Sequence, residues 1–225
     1  MLKKIDLRRV VTIVSMKMKK RMSGRIVTVV LWFVVLVGLA MAYYPKFDAH
    51  VQEKKQLKLL SEWSRDIRKE TPQSEISPAS AETELPQWKT VNGKRLLGSI
   101  RIESIKLTEP IVRGTQAAEL LEGAGTVLDE RMPGQKGNFV LAGHRSWTFG
   151  RHFNRLGELK PGDIIDIDTT VGTYRYIVFD SRIVMPDDVS VLEDDTSVSR
   201  LTLITCDPIR KATHRLIVSA ELQNN

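Results

Sequence analysis

The hydropathy pattern opens with one unbroken apolar run, Ile26 to Tyr44 (IVTVVLWFVVLVGLAMAYY), without a charge anywhere in it. At ~1.5 Å of rise per residue, about 20 apolar residues cross ~30 Å of hydrocarbon, so the run predicts a single transmembrane helix. Tyr43 and Tyr44 suit its outer interface. The next stretch, 46–70 (KFDAHVQEKKQLKLLSEWSRDIRKE), is charged and helix-favouring, with Leu57, Leu60, Ser64 and Ile67 only loosely at heptad spacing. It predicts a juxtamembrane helical stalk, since a coiled-coil dimer needs a more sustained repeat. Residues 71–86 are rich in Ser, Pro and Glu and nearly devoid of large apolar side chains, the composition of a linker.

From Leu96 onward the period changes to two. Strands are expected at 97–103, 107–112, 137–143, 163–169, 173–184, 199–206 and 215–222, with a weaker one at 125–128. In the last of the strong ones Leu216, Val218 and Ala220 alternate with Arg215, Ile217, Ser219 and Glu221, as in a half-buried strand. Gly123, Pro133-Gly134, Pro161-Gly162, Gly172 and Pro186-Asp187 punctuate the runs, and short helices fit 116–123 and 152–159. About eight short strands in a domain of this size predict a mainly β fold closed as a barrel or packed as a sandwich. The expected organisation is a basic segment 1–25, a transmembrane helix 26–44, a stalk and linker 45–95, and a β-domain 96–225.

Charge changes this picture in one respect. The net charge of +7 would suggest nucleic acid, but residues 1–25 hold nine Lys or Arg against one acid, Asp6, and so carry +8 alone. The remainder sums to −1, which leaves no basic patch on the folded domain for a phosphate backbone. Basic residues before an apolar helix stay cytoplasmic, so everything after Tyr44 is expected outside the cell. Ala40-Met41-Ala42 offers a small-x-small cleavage pattern, yet the apolar run exceeds the ~7 to 15 residues of a signal-peptide core, and an uncleaved anchor is preferred. The start itself is ambiguous, with Met16, Met18 and Met22 following Met1.

In an exported chain the single cysteine, Cys206, excludes intramolecular disulfides and CxxC metal sites. It packs as a small hydrophobe, pairs with another chain, or reacts. Cys206 ends the apolar run LTLIT before Asp207-Pro208, where a buried strand meets a loop and can present a thiol. A thiol with a free pKa near ~8.5 needs a base or a cation beside it. Of four histidines, His50 lies in the stalk and His152 opens a helical patch, where a polar N-terminal or surface role suits it. His144 follows the strand GNFVLAG and emerges as Cys206 does, whereas His214, shortly after Cys206, is a rival on the next strand. Three cations compete for the role of charge stabiliser, Arg145, Arg210 and Arg215, and the residues alone do not separate them.

LAGHR at 141–145, TLITC at 202–206 and HRLIVSAEL at 214–222 together resemble the signature segments of the sortase family, in order and in spacing. The resemblance covers Leu96 to Leu222. It implies an eight-stranded β-barrel on the outer face of a Gram-positive membrane; a monomer is the expectation for the chain. It further implies a cysteine transpeptidase that cleaves a Leu-Pro-x-Thr-Gly-like sorting signal between Thr and Gly through an acyl-thioester. The acceptor would be an amine of a peptidoglycan precursor, lipid II-like in kind. By the same match Cys206 is the nucleophile, His144 its proton partner, Arg215 the electrostatic stabiliser, and Thr205 a substrate-binding residue.

Within the family, the linker lacks the Asp-Pro-aromatic lid anchor of pilin-polymerising enzymes, and 185–200 is short for the extra helix of the haem-uptake class. Class A or class D is the expectation. Asp187, Asp188, Glu193, Asp194 and Asp195 raise the question of calcium, but a solvated acidic loop is the reading preferred, and no cofactor or metal is expected. A papain-like protease would need its catalytic histidine and an Asn well downstream of the cysteine, and the stretch from Cys206 to Asn225 is too short for that arrangement. The remaining alternative is a non-enzymatic, membrane-tethered β-barrel that binds wall polymer or a partner protein, with Cys206 inert.

Overall fold

A computed structural model describes residues 7–70, 85–145, 152–209 and 211–223, in two compact units, 1–50 and 51–225. The central part of the expected linker and Arg210 lie outside the described residues. A long helix, α1, runs Leu7–Glu70. Within the first unit its segment Gly24–Tyr44, 21 residues, is long and apolar enough to cross a membrane. Its large side chains, Trp32, Phe33 and Leu36 among them, are all exposed, as suits a lipid-facing surface.

The second unit is the barrel together with the last turns of α1. Strands β1 (Lys89–Val91), β2 (Lys94–Ile102), β3 (Leu107–Val112), β4 (Ala124–Thr126), β5 (Gly137–Ala142), β6 (Ile164–Thr169), β7 (Thr173–Val184), β8 (Ser199–Asp207) and β9 (His214–Leu222) form one sheet. Its order is β1-β2-β3-β4-β5-β8-β9-β7-β6, and β6 also pairs with β2. Eight strands, β2 to β9, therefore close into a barrel, and β1 hangs on β2 outside it. The sequence pattern predicts the eight but not β1. The signal for β1 is Asn92-Gly93, both at positive φ (51° and 75°), a two-residue connection whose left-handed backbone matches strand twist. That hairpin also starts β2 earlier, at Lys94, than the alternation suggests. The expected helices shrink to one α-turn, α2 (Ala117–Leu120), and a 3₁₀ segment, Phe153–Glu158.

Inward residues follow the predicted alternation. Leu201 and Leu203 from β8, Leu216, Val218 and Ala220 from β9, and Phe139 and Leu141 from β5 share one core with Ile165, Ile167 and Tyr176. Closure depends on β2 meeting β6. Gly98 lies opposite Thr169, and a methyl group there would collide with the Asp168 carbonyl. Beside it Asp166, 5% exposed, receives Arg101 at 3.1 Å and Arg175 at 2.9 Å, its register partners on the two flanking strands. A nearly buried carboxylate flanked by two cations resists separation of the three strands.

The last turns of α1 do not stand free. Gln56, Leu59 and Trp63, spaced i, i+3 and i+7, are buried, and Leu59 and Trp63 cluster with Val91, Leu96 and Val112. Leu57, at one of the loose heptad positions, is exposed. The seam faces the barrel wall, which the helix's own sequence does not reveal. Replacing Gly98 with Ala is expected to cost roughly 1–3 kcal/mol through the backbone clash at the barrel seam, read as a lowered Tm in thermal unfolding followed by circular dichroism.

Candidate active site

Three strand ends build the site. β5 and β8 run parallel, paired from Gly137↔Ser199 to Ala142↔Ile204, and the Gly143 amide donates to the Ile204 carbonyl at 3.0 Å. Two positions beyond the last pair come His144 on one strand and Cys206 on the other. β8 and β9 are antiparallel, and Cys206 lies directly opposite Arg215. Side chains alternate across a strand, so Cys206 shares the outer face of β8 with Ile204, Thr202 and Arg200, opposite to the core residues Leu203 and Leu201. Arg215 shares the outer face of β9 with Ile217 and Ser219 by the same parity.

Parity also sorts the rivals. His214 pairs with Asp207, one residue out of phase with Cys206, and its Nδ1 sits 2.9 Å from the Thr213 hydroxyl. Arg145 takes that same phase on the other side. It forms an ion pair with Asp207 and donates from Nη1 to the Cys206 carbonyl at 3.3 Å, so its charge is committed behind the cysteine. Arg215 donates to the carbonyls of His214 at 2.9 Å and Ala212 at 3.3 Å, and is half-buried on the face of Cys206. Thr205 is 2% exposed, and its hydroxyl donates at 2.8 Å to the Gly143 carbonyl, stitching the cysteine strand to the histidine strand.

The sequence reading missed a second layer beneath His144. His152, for which a polar N-terminal or surface role is expected, does stand at the N-terminus of the 3₁₀ segment but is only 5% exposed, and its ring and that of His144 meet at 78° with centroids 6.4 Å apart. Its Nδ1 lies 3.0 Å from Oε1 of Glu109, itself 3% exposed, and 3.4 Å from Nε2 of Gln56 on α1. A signal for Glu109 existed, because it takes the inward parity of Leu107 and Ile111 in β3, and a carboxylate there requires a partner. Nothing local marks His152. Burial pulls the His144 pKa below its ordinary value, the His152 charge adds to this, and Glu109 opposes it.

The outer face continues into a cavity of about 490 Å³ lined by Phe179, Arg182, Asp194, Arg200, Ile217 and Ser219 among others. Its wall is the β7–β8 connection, pegged by Asn138. That side chain donates to the carbonyls of Val191 at 3.0 Å and Glu193 at 3.1 Å and accepts from Thr202 at 2.7 Å. Asp188, Asp194 and Asp195 of this connection are used locally. Asp194 accepts from the Asn138 amide and pairs with Arg131, and Ser190 and Ser197 hold the Asp188 and Asp195 carboxyls below their ordinary pKa. Among the described residues no group of three or more His, Cys, Asp or Glu is disposed to hold a metal ion.

Thr205→Val keeps the shape at 205 and removes the donor to Gly143. It is expected to cost about 1–2 kcal/mol in urea unfolding, because a buried carbonyl loses that bond.

Comparison with known proteins agrees with this geometry. Residues 100–223 match the Sortase domain. Sortase A of Bacillus anthracis is 30% identical over 202 residues, 88% of this chain and 95% of that one. Sortase D of Bacillus subtilis (strain 168) is 29% identical over 177 residues, 78% of this chain and 87% of that one. The solved structure of a Clostridium perfringens sortase D5 transpeptidase superposes with a TM-score of 0.60 at 27% identity, covering 76% of this chain and 99% of that one. An eight-stranded barrel that sets one cysteine against an arginine, matched along most of its length by these proteins, places the chain in the sortase family.

Proposed function

We propose that this chain is a membrane-anchored cysteine transpeptidase that cleaves a Leu-Pro-x-Thr-Gly-like sorting signal and transfers the new acyl end to an amine of a peptidoglycan precursor. The observation that carries this reading is the convergence of Cys206, opposite Arg215, with His144 just past the end of the β5–β8 ladder. The Cys206 sulfur attacks the Thr carbonyl, and the Arg215 guanidinium stabilises the charge growing on its oxygen. As the C–N bond breaks, His144 gives a proton to the departing glycine amine, leaving an acyl-thioester on Cys206. An incoming amine loses its proton to His144, attacks the thioester carbonyl and releases the Cys206 sulfur. The reaction uses no cofactor.

The cavity supports a peptide substrate of this kind. Thr202, on its floor, lies four positions before Cys206 on the same face of β8. At ~3.3 Å per residue that is ~13 Å, the length of about four extended residues on the acyl side of the scissile bond. Thr205 acts through the strand end it secures. The family and the apolar Gly24–Tyr44 helix support a single-pass anchor, with the basic N-terminal segment cytoplasmic and the barrel outside a Gram-positive membrane.

With the full chain in detergent, a Leu-Pro-x-Thr-Gly peptide and a triglycine acceptor, mass spectrometry is expected to detect the transfer product and an acyl adduct on Cys206. Cys206→Ala should abolish both, and transfer by that variant would overturn the reading. His144→Ala and Arg215→Ala are each expected to lower kcat/KM by roughly 10³-fold, while Arg215→Lys, which keeps the charge and loses the planar fork, recovers only part. In intact protoplasts, external protease should digest the barrel and spare the N-terminal segment. Protection of the barrel would reverse the proposed orientation.

A further inference from the structure

We propose that Glu109 and His152 form a buried positioning pair that orients the His144 imidazole for its proton transfers. This rests on the transpeptidase reading above. The pair is not on the cysteine face of β8 and β9, and the steps just described make no use of it. Glu109 is 3% exposed and His152 5%, and their contact spans β3 and the segment that opens the 3₁₀ turn. Glu109 Oε2 is buried and finds no hydrogen-bond partner among the described residues. A carboxylate kept in that state costs stability, which is consistent with a charge retained for what it does to its neighbours.

The chemistry follows from donor and acceptor roles. A carboxylate only accepts, so the 3.0 Å contact requires a proton on His152 Nδ1 and fixes which ring nitrogen faces Glu109. With Nδ1 committed to Glu109, Gln56 of α1 at 3.4 Å from the same nitrogen is a packing contact, and the His152 and His144 rings stand at 78° to each other. The backbone is tied as well: Arg145 and His152 form a β-bridge, and the Phe153 amide donates to the His144 carbonyl at 3.0 Å. The two histidines are therefore placed by main chain and side chain together.

The charge of Glu109 gives the pair a second effect. The titratable and charged groups of the elements around His144 include Cys206 and Asp207 on β8, Arg215 and His214 on β9, Arg145 beside it, Glu109 on β3, His152, Arg155 and Glu158 paired with each other on the 3₁₀ segment, and Glu53 one turn before Gln56 on α1. Arg145 and Asp207 neutralise each other. Of the groups in the set, His152 and Glu109 act on His144 through their charge, with opposite sign. Glu109 favours the protonated imidazole that must deliver a proton to the leaving amine. Removing it should make that proton harder to hold.

The test uses the full chain in detergent with ¹³C-labelled histidines, following the His144 resonance against pH, alongside kcat and KM for peptide transfer. Glu109→Gln is expected to lower the His144 midpoint by roughly one pH unit and kcat by about tenfold, with KM within about twofold. Glu109→Asp, which keeps the charge, should return the midpoint to near its starting value and restore most of kcat. An unchanged midpoint and kcat in Glu109→Gln overturns the proposal. So does a loss of activity that merely follows Tm in both variants with the midpoint unmoved. Should Glu109→Gln fail to fold, His152→Gln decides: a tenfold lower kcat at retained Tm supports the pair, and an unchanged kcat overturns it. The midpoint is read without turnover, so it is independent of the transpeptidase reading, which fails separately if His144→Ala still transfers peptide at the native rate.

Discussion

The parallel ladder between β5 and β8 is the constraint on which the site depends. His144 and Cys206 are far apart in the chain, and a ladder in strict register from Gly137↔Ser199 to Ala142↔Ile204 delivers both to the same edge. Side chains alternate with a period of two, so a slip by one residue would turn the Cys206 thiol toward the core side and bring Asp207 to the outer face. The register is secured at both ends. Asn138 and Thr202 bond across the strands at the start, and Thr205 and Gly143 bond at the finish. Parallel strands cannot be joined by a tight turn, and here the connection between them carries the 3₁₀ segment, β6 and β7. Two further barrel strands are therefore built between the two residues that the ladder brings together.

Antiparallel pairing of β8 with β9 then adds the cation after only a short connection. The chain returns at His214 opposite Asp207, which sets Arg215 directly across from Cys206, so geometry rather than residue type chooses between cation and imidazole at that position. The same phase argument commits Arg145 to Asp207. Two arginines close to one cysteine thereby have different duties. One anchors the strand end from behind, and the other lies on the face of Cys206 itself.

Three polar side chains are buried in the group that adjoins His144. Glu109, His152 and Gln56 come from β3, the 3₁₀ entry and α1, three elements distant in sequence, and each is less than one tenth exposed. Glu109 pairs with His152, and Gln56 packs on the same imidazole, which makes the docking of α1 part of the site's surroundings through Leu59 and Trp63 as well as Gln56. The Asn138 peg works in the same way at the far end of the face, where one side chain holds two carbonyls of the β7–β8 connection and so shapes the cavity wall.

Much of this protein was legible in its sequence, for definable reasons. The apolar 26–44 run, the period-two strands and the lone cysteine are local or compositional signals, and the eight barrel strands follow them closely. Even the missed β1 hairpin belongs on this side, since Asn92-Gly93 encodes its turn chemistry in two adjacent residues and needed no tertiary partner to be read. The segments around His144, Cys206 and Arg215 carried a family pattern, although the residues themselves left His214, Arg145 and Arg210 as competitors. Tertiary structure decided what register and long-range packing control. It separated His214 and Arg145 from Cys206 by strand phase and buried His152 on Glu109. It also turned one face of a nominal stalk helix onto the barrel. None of these has a local signature, because the partner that confers the meaning sits on another strand or helix and not among the neighbours in the chain.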